Sequence, residues 1–576
     1  MYKWIITLLA ATAVIRHVDA INGGHSAKYR MMANVGLNPD GSPAAKASSN
    51  STENIRPEFV RIPLNHFADG TASGELYSNR FWVAESGYKP GGPVFLFDVG
   101  ESEAASSVQS QLQDPTSFFK QIVDQFGGIG IVWEHRFYGS STPFNITTST
   151  PATHFKYLTI EQALADVVFF ASQFSRPSMP DVDLTPTGTP WVFLGASYSG
   201  TRAAFMRNFY PKTITASYAS SAPVQASIDM SFYFEPVWQG MNHYGFGNCT
   251  KDIQAATQAM DMIMEDSTAA ADLKETFFGP EARNNSNAGM ADALASLFPQ
   301  FQSFGVEGGS ESLRSFCEWM ETDPKTNATA PSEGFAPSKG VNYTINRWSS
   351  WPFMVSTVND NLETNCKGTD NTTATSCLFE SIATDADSIA WAWQHCTQWG
   401  FLPYANLGPH QLISKYNDLQ HQLDICQRQF PDGKASGLLP LVPQADKTNA
   451  FFGGWTIRPS NTFWSGGEFD PWRTLSPLSD EWFAPNVTEE QAIPSCGAAT
   501  SEDKIFSYTM PDAEHGFDLG RGTTFPADAP SREFFTDALS QWLECWKKGV
   551  QPEDPASILR HGGSGFALQR NVTVRA

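Results

Sequence analysis

The stretch from Trp191 to Tyr210 constrains this chain more than any other. Trp191-Val192-Phe193-Leu194 is a short, wholly apolar run, the pattern of a strand buried on both faces. Gly195-Ala196-Ser197-Tyr198-Ser199-Gly200 follows as a turn of small residues. Thr201 to Tyr210 then reads as a helix stopped by Pro211. A strand, a tight turn and a helix in so few residues put the central side chain of the turn at a helix N-terminus, exposed on a strained backbone. Ser197 holds that position and is the candidate nucleophile. Ser199 is the rival, but Gly195 then falls at the wrong spacing. An ordinary strand-to-helix connection looks the same locally, so the flanking chain decides.

The flanks alternate strand and helix. Pro93-Val94-Phe95-Leu96-Phe97-Asp98-Val99-Gly100-Glu101 is a buried strand running into a glycine turn, and Ile129-Gly130-Ile131-Val132-Trp133 is another, ending in Glu134-His135-Arg136. Charges directly after a core strand point first to a structural ion pair. Tyr157 to Phe170 is a helix opening on a capping box, with Thr159 as N-cap and Gln162 as the residue that returns the bond. Tyr77 to Ala84 and Ile214 to Ala219 are further strands. This alternation predicts a parallel sheet. It breaks after about residue 225. From there to about 440 the chain is rich in Trp and Met, with long helical patterns such as Asp252 to Met264 and Leu412 to Gln427. The strand pattern resumes at Asn461 to Gly467 and Lys504 to Tyr508, and a last helix spans about Ser531 to Lys548.

The expected organisation is therefore a signal peptide over 1–20, a flexible lead-in over 21–56, a sheet domain in two parts (57–225 and 441–548) split by a helical cap over 226–440, and a C-terminal tail over 549–576. Lys3, an apolar run from Trp4 to Ile15 and Val18-Asp19-Ala20 form the signal pattern, too short to span a bilayer. Sequons begin at Asn50, Asn145, Asn248, Asn284, Asn327, Asn342, Asn371, Asn486 and Asn571, which fits passage through a glycosylating route. The eight cysteines lack metal-type spacing and are expected as disulfides. Pairing them in chain order gives Cys249–Cys317, Cys366–Cys377, Cys396–Cys426 and Cys496–Cys545. A net charge of -22 argues against nucleic acid and anionic membranes as partners. The expected location is extracellular, or vacuolar-lysosomal through the secretory route, with no membrane anchor; oligomeric state is not encoded in any readable pattern.

A serine hydroxyl needs a neighbouring base, and that base needs an acid to fix its tautomer. The chain offers both in order, each in a loop after a strand, where open α/β sheets place their sites. Asp470 lies in Glu468-Phe469-Asp470-Pro471-Trp472, and His515 in Asp512-Ala513-Glu514-His515-Gly516-Phe517-Asp518. Glu468, Asp512 and Asp518 are alternative acids and His561 an alternative base. The Tyr198 N–H and the turn at Gly100 are the expected oxyanion donors.

Three segments, Gly195–Gly200, Gly467–Trp472 and His515–Leu519, together resemble the signature segments of the prolyl carboxypeptidase family of serine peptidases, which also holds lysosomal dipeptidyl peptidases and fungal acid prolyl endopeptidases. Glu134–Gly139, Tyr157–Leu164 and Asn65-His66-Phe67 resemble further family segments, so the likeness runs from about residue 61 to 548. It implies an α/β-hydrolase fold with a large inserted helical cap, and cleavage on the carboxyl side of proline through an acyl-enzyme. It assigns Ser197 as nucleophile, Asp470 as orienting acid and His515 as base, with Trp472 lining an apolar proline pocket. The substrate would be a proline-containing peptide or protein, with no metal or organic cofactor. Ala196 and Ser199 replace glycines of the common motif, and Ser-Tyr-Ser-Gly with Asp-Pro-Trp-Arg favours the fungal-type branch. Endopeptidase, carboxypeptidase and dipeptidyl modes all remain within the resemblance. An esterase or lipase on the same fold, and a non-catalytic binding protein that keeps it, are the competing readings.

Overall fold

In the computed structural model, residues 54–68, 74–368, 376–380, 382–520 and 526–547 are described. The signal pattern, most of the lead-in, the tail, His561 and the sequons at Asn50, Asn371 and Asn571 lie outside them.

Strands β1 (Glu58–Pro63), β2 (Leu76–Ala84), β3 (Val94–Asp98), β4 (Ile129–Trp133), β5 (Trp191–Ala196) and β6 (Ala216–Ser220) come before the helical region. A small parallel pair, β7 (Ser227–Asp229) and β8 (Gly400–Leu402), lies within it. Strands β9 (Thr462–Gly467), β10 (Thr488–Glu490) and β11 (Lys504–Met510) follow. The main sheet has nine strands in the order β1-β2-β4-β3-β5-β6-β9-β11-β10. It is antiparallel only at β1–β2 and β2–β4 and parallel from β4 onward. The parallel strands β3, β4, β5 and β6 are buried along their whole length, as continuous apolar runs require when helices cover both faces. The chain leaves the sheet after β6 and returns at β9, so β5, β6, β9 and β11 stand side by side although the helical region separates them in sequence.

The helix after the elbow starts at Tyr198, three residues earlier than its apolar pattern indicates, because the turn itself is wound into its first turn. The helix expected from Leu412 begins instead at Leu419, where the Asp418 side chain accepts the His421 N–H at 2.8 Å and caps it. The capping box is only half made. Thr159 caps Ile160–Ala171, but the Gln162 amide donates to Asn65 at 2.7 Å and accepts from the His66 N–H at 2.9 Å. Gln162 thus ties the helix to the segment after β1 and leaves the box's return bond unmade.

All four disulfides join the cysteines paired in chain order: Cys249–Cys317, Cys366–Cys377, Cys396–Cys426 and Cys496–Cys545. Asn145, Asn284, Asn327, Asn342 and Asn486 are exposed, and Asn248 is half-buried. Among the described residues no helix is long and apolar enough to cross a membrane.

Cys249–Cys317 staples helix Gly247–Ile263 to helix Leu313–Met320, and beside it Glu321 meets Asp252. Burial pushes the Glu321 carboxyl from an ordinary 4.5 up to about 9; the charge of Asp252 adds to this and Arg347 opposes it. Burial raises Asp252 as well. The folded protein therefore holds a proton that the unfolded chain releases near pH 4.5. The resulting stability is complete below that pH and is lost as pH rises toward 9, at up to about 1.4 kcal/mol per pH unit for one uncoupled group. Glu321→Gln is accordingly expected to raise the melting temperature by a few degrees at pH 7.5 and to leave it nearly unchanged at pH 4.5, as calorimetry at the two pH values will read.

Candidate active site

At the end of β5 the backbone turns through Ser197, whose φ of 62° and ψ of -132° lie where a non-glycine residue is strained. The turn is held by backbone bonds. Ser197 N–H donates to the Ser220 carbonyl of β6 at 2.9 Å, and Thr201 N–H donates to the Ser197 carbonyl at 3.0 Å. The glycines flanking the turn are steric requirements. A Cβ at Gly195 would stand 2.4 Å from the Ser199 carbonyl group, and one at Gly200 would stand 2.4 Å from the Ser220 oxygen. No such limit applies at 196 or 199, which is why Ala and Ser are tolerated there. Gly195→Ala must therefore displace backbone, and a loss of about 3 kcal/mol, at the top of the usual overpacking range, is expected from urea unfolding.

Ser199 is no rival. Its Oγ is fully buried, donates to the Ala196 carbonyl at 2.7 Å and accepts the Ala196 N–H at 3.1 Å. It locks the elbow in the place of the glycine it replaces. Ser197 retains 7% of its surface.

Asp470 follows β9 and is fully buried. It caps the short helix Pro471–Leu475 by accepting the Trp472 N–H at 2.8 Å, as its position before proline suggests. It also does more: His515 Nδ1 lies 2.8 Å from Oδ1 and 3.0 Å from Oδ2. A hydrogen on Nδ1 pointing at a carboxylate leaves Nε2 as the basic nitrogen. His515 follows β11, and its turn packs on the elbow. A Cβ at Gly516 would lie 3.4 Å from the Ala196 Cβ, and Gly516 N–H donates to Ser221 Oγ at 2.8 Å.

The other acids are occupied elsewhere. Asp512 is exposed and pairs with His243 at 2.7 Å, and Glu468 accepts the Asp512 N–H at 3.1 Å. Asp518 is buried and accepts three hydroxyls: Tyr218 at 2.6 Å, Ser220 at 2.5 Å and Ser465 at 2.5 Å. It binds the segment after His515 to β6 and β9. Sequence reasoning weighed Asp518 as an orienting acid and missed this anchoring role.

On the other side of the elbow, Gly100 approaches Ser199 closely, but its N–H already donates to Asp98 Oδ1 at 3.0 Å. Gly100 is thus in place as a spacer, while the expectation that its N–H is free for an oxyanion is corrected. Asp98 is itself paired with Arg202. Burial pushes the carboxyl of Glu101, the residue after Gly100, up to about 8, so that side of the elbow carries no added negative charge at acidic pH. The Tyr198 N–H is the first amide of its helix, where intrahelical acceptors are lacking.

The Tyr198 ring is held by a chain of donors. Tyr138 Oη donates to Gln394 Oε1 at 2.6 Å, Gln394 Nε2 donates to Tyr198 Oη at 2.9 Å, and Tyr198 Oη lies 3.1 Å from His135 Nε2. His135 Nδ1 meets the Arg136 carbonyl at 2.6 Å, and burial holds its pKa well below the usual histidine range. The charged corner after β4 is thus structural: Glu134 pairs with Arg80, Arg136 pairs with Asp166, and His135 is neutral. Beyond Tyr198 lies an aromatic wall contributed largely by the helical region. Tyr198 contacts Trp391 and Trp399 at 5.5 and 5.8 Å between ring centroids, and Trp399 stacks on Phe401 at 5.1 Å. Phe401 meets Trp472 at 5.2 Å, and Trp472 lies 6.3 Å from the His515 ring. Trp399 ends a π-helical turn, His395–Trp399, a feature often found at functional sites and absent from the sequence reading. His395, Cys396 and Cys426 cluster there, but both sulfurs are in a disulfide and offer no thiolate to a metal.

A largely parallel sheet with a strained serine between a central strand and its helix, and an Asp–His pair on the loops of two later strands, defines an α/β-hydrolase. The sequence model of the family described as "Serine carboxypeptidase S28" matches residues 63–488, and the chain belongs to that serine peptidase family. A "Probable extracellular serine carboxypeptidase" of Arthroderma benhamiae is 26% identical over 487 residues, 80% of this chain and 63% of that protein's length. The "Thymus-specific serine protease" of Mus musculus is 26% identical over 512 residues, 86% of this chain and 88% of that one. A solved acetylester hydrolase from Corynebacterium glutamicum aligns over 84% of this chain and 96% of that one, at 9% identity and a TM-score of 0.32.

Proposed function

We propose that this chain is a secreted serine peptidase that cleaves peptide bonds on the carboxyl side of proline through an acyl-enzyme. The observation that carries the reading is the His515–Asp470 pair, on a turn packed against the strained Ser197 elbow. Ser197 Oγ attacks the scissile carbonyl while His515 Nε2 takes its proton, and Asp470 holds the imidazole and stabilises its charged form. The Tyr198 N–H receives the developing oxyanion. His515 then returns the proton to the leaving amine, and water repeats the sequence to release the acid. The proline reading is supported by the wall of Trp472, Phe401 and Trp399, because a flat pyrrolidine ring packs well on aromatic faces. The sequons exposed on the surface and the disulfides fit the secretory route.

The test is a mass-spectrometric digest of proline-containing peptides with free and blocked ends, at acidic and neutral pH. Cleavage after proline is the expected result. The tolerated blocking group then identifies the endopeptidase, carboxypeptidase or dipeptidyl mode. Hydrolysis of esters without any peptide cleavage would replace this reading with the esterase one.

A further inference from the structure

Gln302 lies in the short helix Phe301–Phe304 of the helical region, yet it touches the loops of both Asp470 and His515. Its backbone carbonyl accepts the His515 N–H at 3.0 Å. Its side-chain Oε1 accepts the Trp472 indole N–H at 2.9 Å and the Tyr233 hydroxyl at 3.0 Å. An indole N–H is only ever a donor, so the amide cannot be flipped: oxygen faces Trp472, and Nε2 occupies the opposite branch. Gln302 is half-buried, and its Nε2 has no hydrogen-bond partner among the described residues. Two donors and one main-chain bond thus fix an amide whose N–H groups are unspent, beside the indole that stands 6.3 Å from His515.

Resting on the peptidase reading, we propose that Gln302 binds substrate, its Nε2 donating to a main-chain carbonyl oxygen of the peptide whose apolar ring lies against Trp472. The ligand class is an extended peptide, recognised through its backbone. The helical region then supplies part of the binding site itself, in addition to walling it.

Gln302→Glu is the decisive variant. It keeps Oε1 for Trp472 and Tyr233 and replaces the donor with a carboxylate oxygen that repels a carbonyl. At pH 7, kcat/KM for a proline-containing peptide is expected to fall about tenfold to a hundredfold. The ratio of variant to unaltered enzyme should recover below about pH 5, where a protonated carboxyl regains an O–H donor. The rate of labelling by a small fluorophosphonate, which has no peptide carbonyl to bind, should stay within about twofold. Should Gln302→Glu not fold, Gln302→Met, of similar volume and without either polar end, is read by the same pair of rates. Equal loss in labelling and peptide cleavage would mean that Gln302 only supports the loops, and would overturn the proposal; so would unchanged peptide cleavage. An unaltered protein that labels at Ser197 but cleaves no peptide would sink the peptidase reading and this inference together, whereas cleavage indifferent to Gln302→Glu sinks the inference alone.

Discussion

Ser197→Ala is expected to abolish labelling by a serine-directed fluorophosphonate and to lower kcat by a factor on the order of 10^6, because a triad that loses its nucleophile loses nearly all that the three groups supply together. Ser199→Ala is the informative companion. Ser199 Oγ spends its donor and an acceptor on Ala196, at 2.7 and 3.1 Å, so its removal withdraws elbow-locking bonds and leaves the Ser197 hydroxyl in place. That variant should label normally and lose about 1 kcal/mol of stability. The two serines differ in backbone as well. Ser197 sits at a φ of 62°, which its surroundings must enforce, and Ser199 is an ordinary helical residue. A protein that labels after Ser197→Ala and not after Ser199→Ala would reverse the assignment, and mass spectrometry of the labelled peptide reads this directly.

The central sheet around the proposed triad was legible because its positions leave few alternatives. β3, β4 and β5 are buried along their whole length and read as short apolar runs, whereas β9, equally buried, mixes Phe463 and Trp464 with Thr462, Ser465 and two glycines. The edge strands were harder. β10 is three residues long with exposed acidic side chains, and β1 alternates only weakly, so neither carries a strong periodic signal. Gln162 and Asp518 show a different limit. Each has a local partner suggested by sequence, a capping box for one and a nearby histidine for the other. Each is claimed instead by partners far along the chain: Asn65 and His66 for Gln162, and Tyr218, Ser220 and Ser465 for Asp518. The same holds for Gly100, whose N–H is taken by Asp98, and for Gln302, a glutamine in a helical stretch with no local pattern to set it apart. Disulfide pairing follows chain order here, whereas side-chain hydrogen bonds follow the fold.

Asp470→Asn is expected to lower kcat by about 10^4 with little change in KM, the size of effect seen when an orienting carboxylate becomes an amide and the imidazole adopts the wrong tautomer. The cause is specific to this geometry: both Asp470 oxygens lie within 3.0 Å of His515 Nδ1, so an amide nitrogen there would favour the hydrogen on Nε2, where the base must be free. Asp518→Asn separates orientation from anchoring. Its carboxylate accepts three buried hydroxyls, and an amide keeps one good acceptor while presenting donors to donors. Its cost should appear chiefly as stability, about 2–3 kcal/mol in urea unfolding, with a smaller loss of kcat as the His515 turn loosens. The two variants therefore predict opposite orderings in two measurements: Asp470→Asn the slower enzyme and the more stable protein, Asp518→Asn the faster and the less stable. The reverse ordering would move the orienting role to Asp518 and leave Asp470 as the cap of the Pro471 turn.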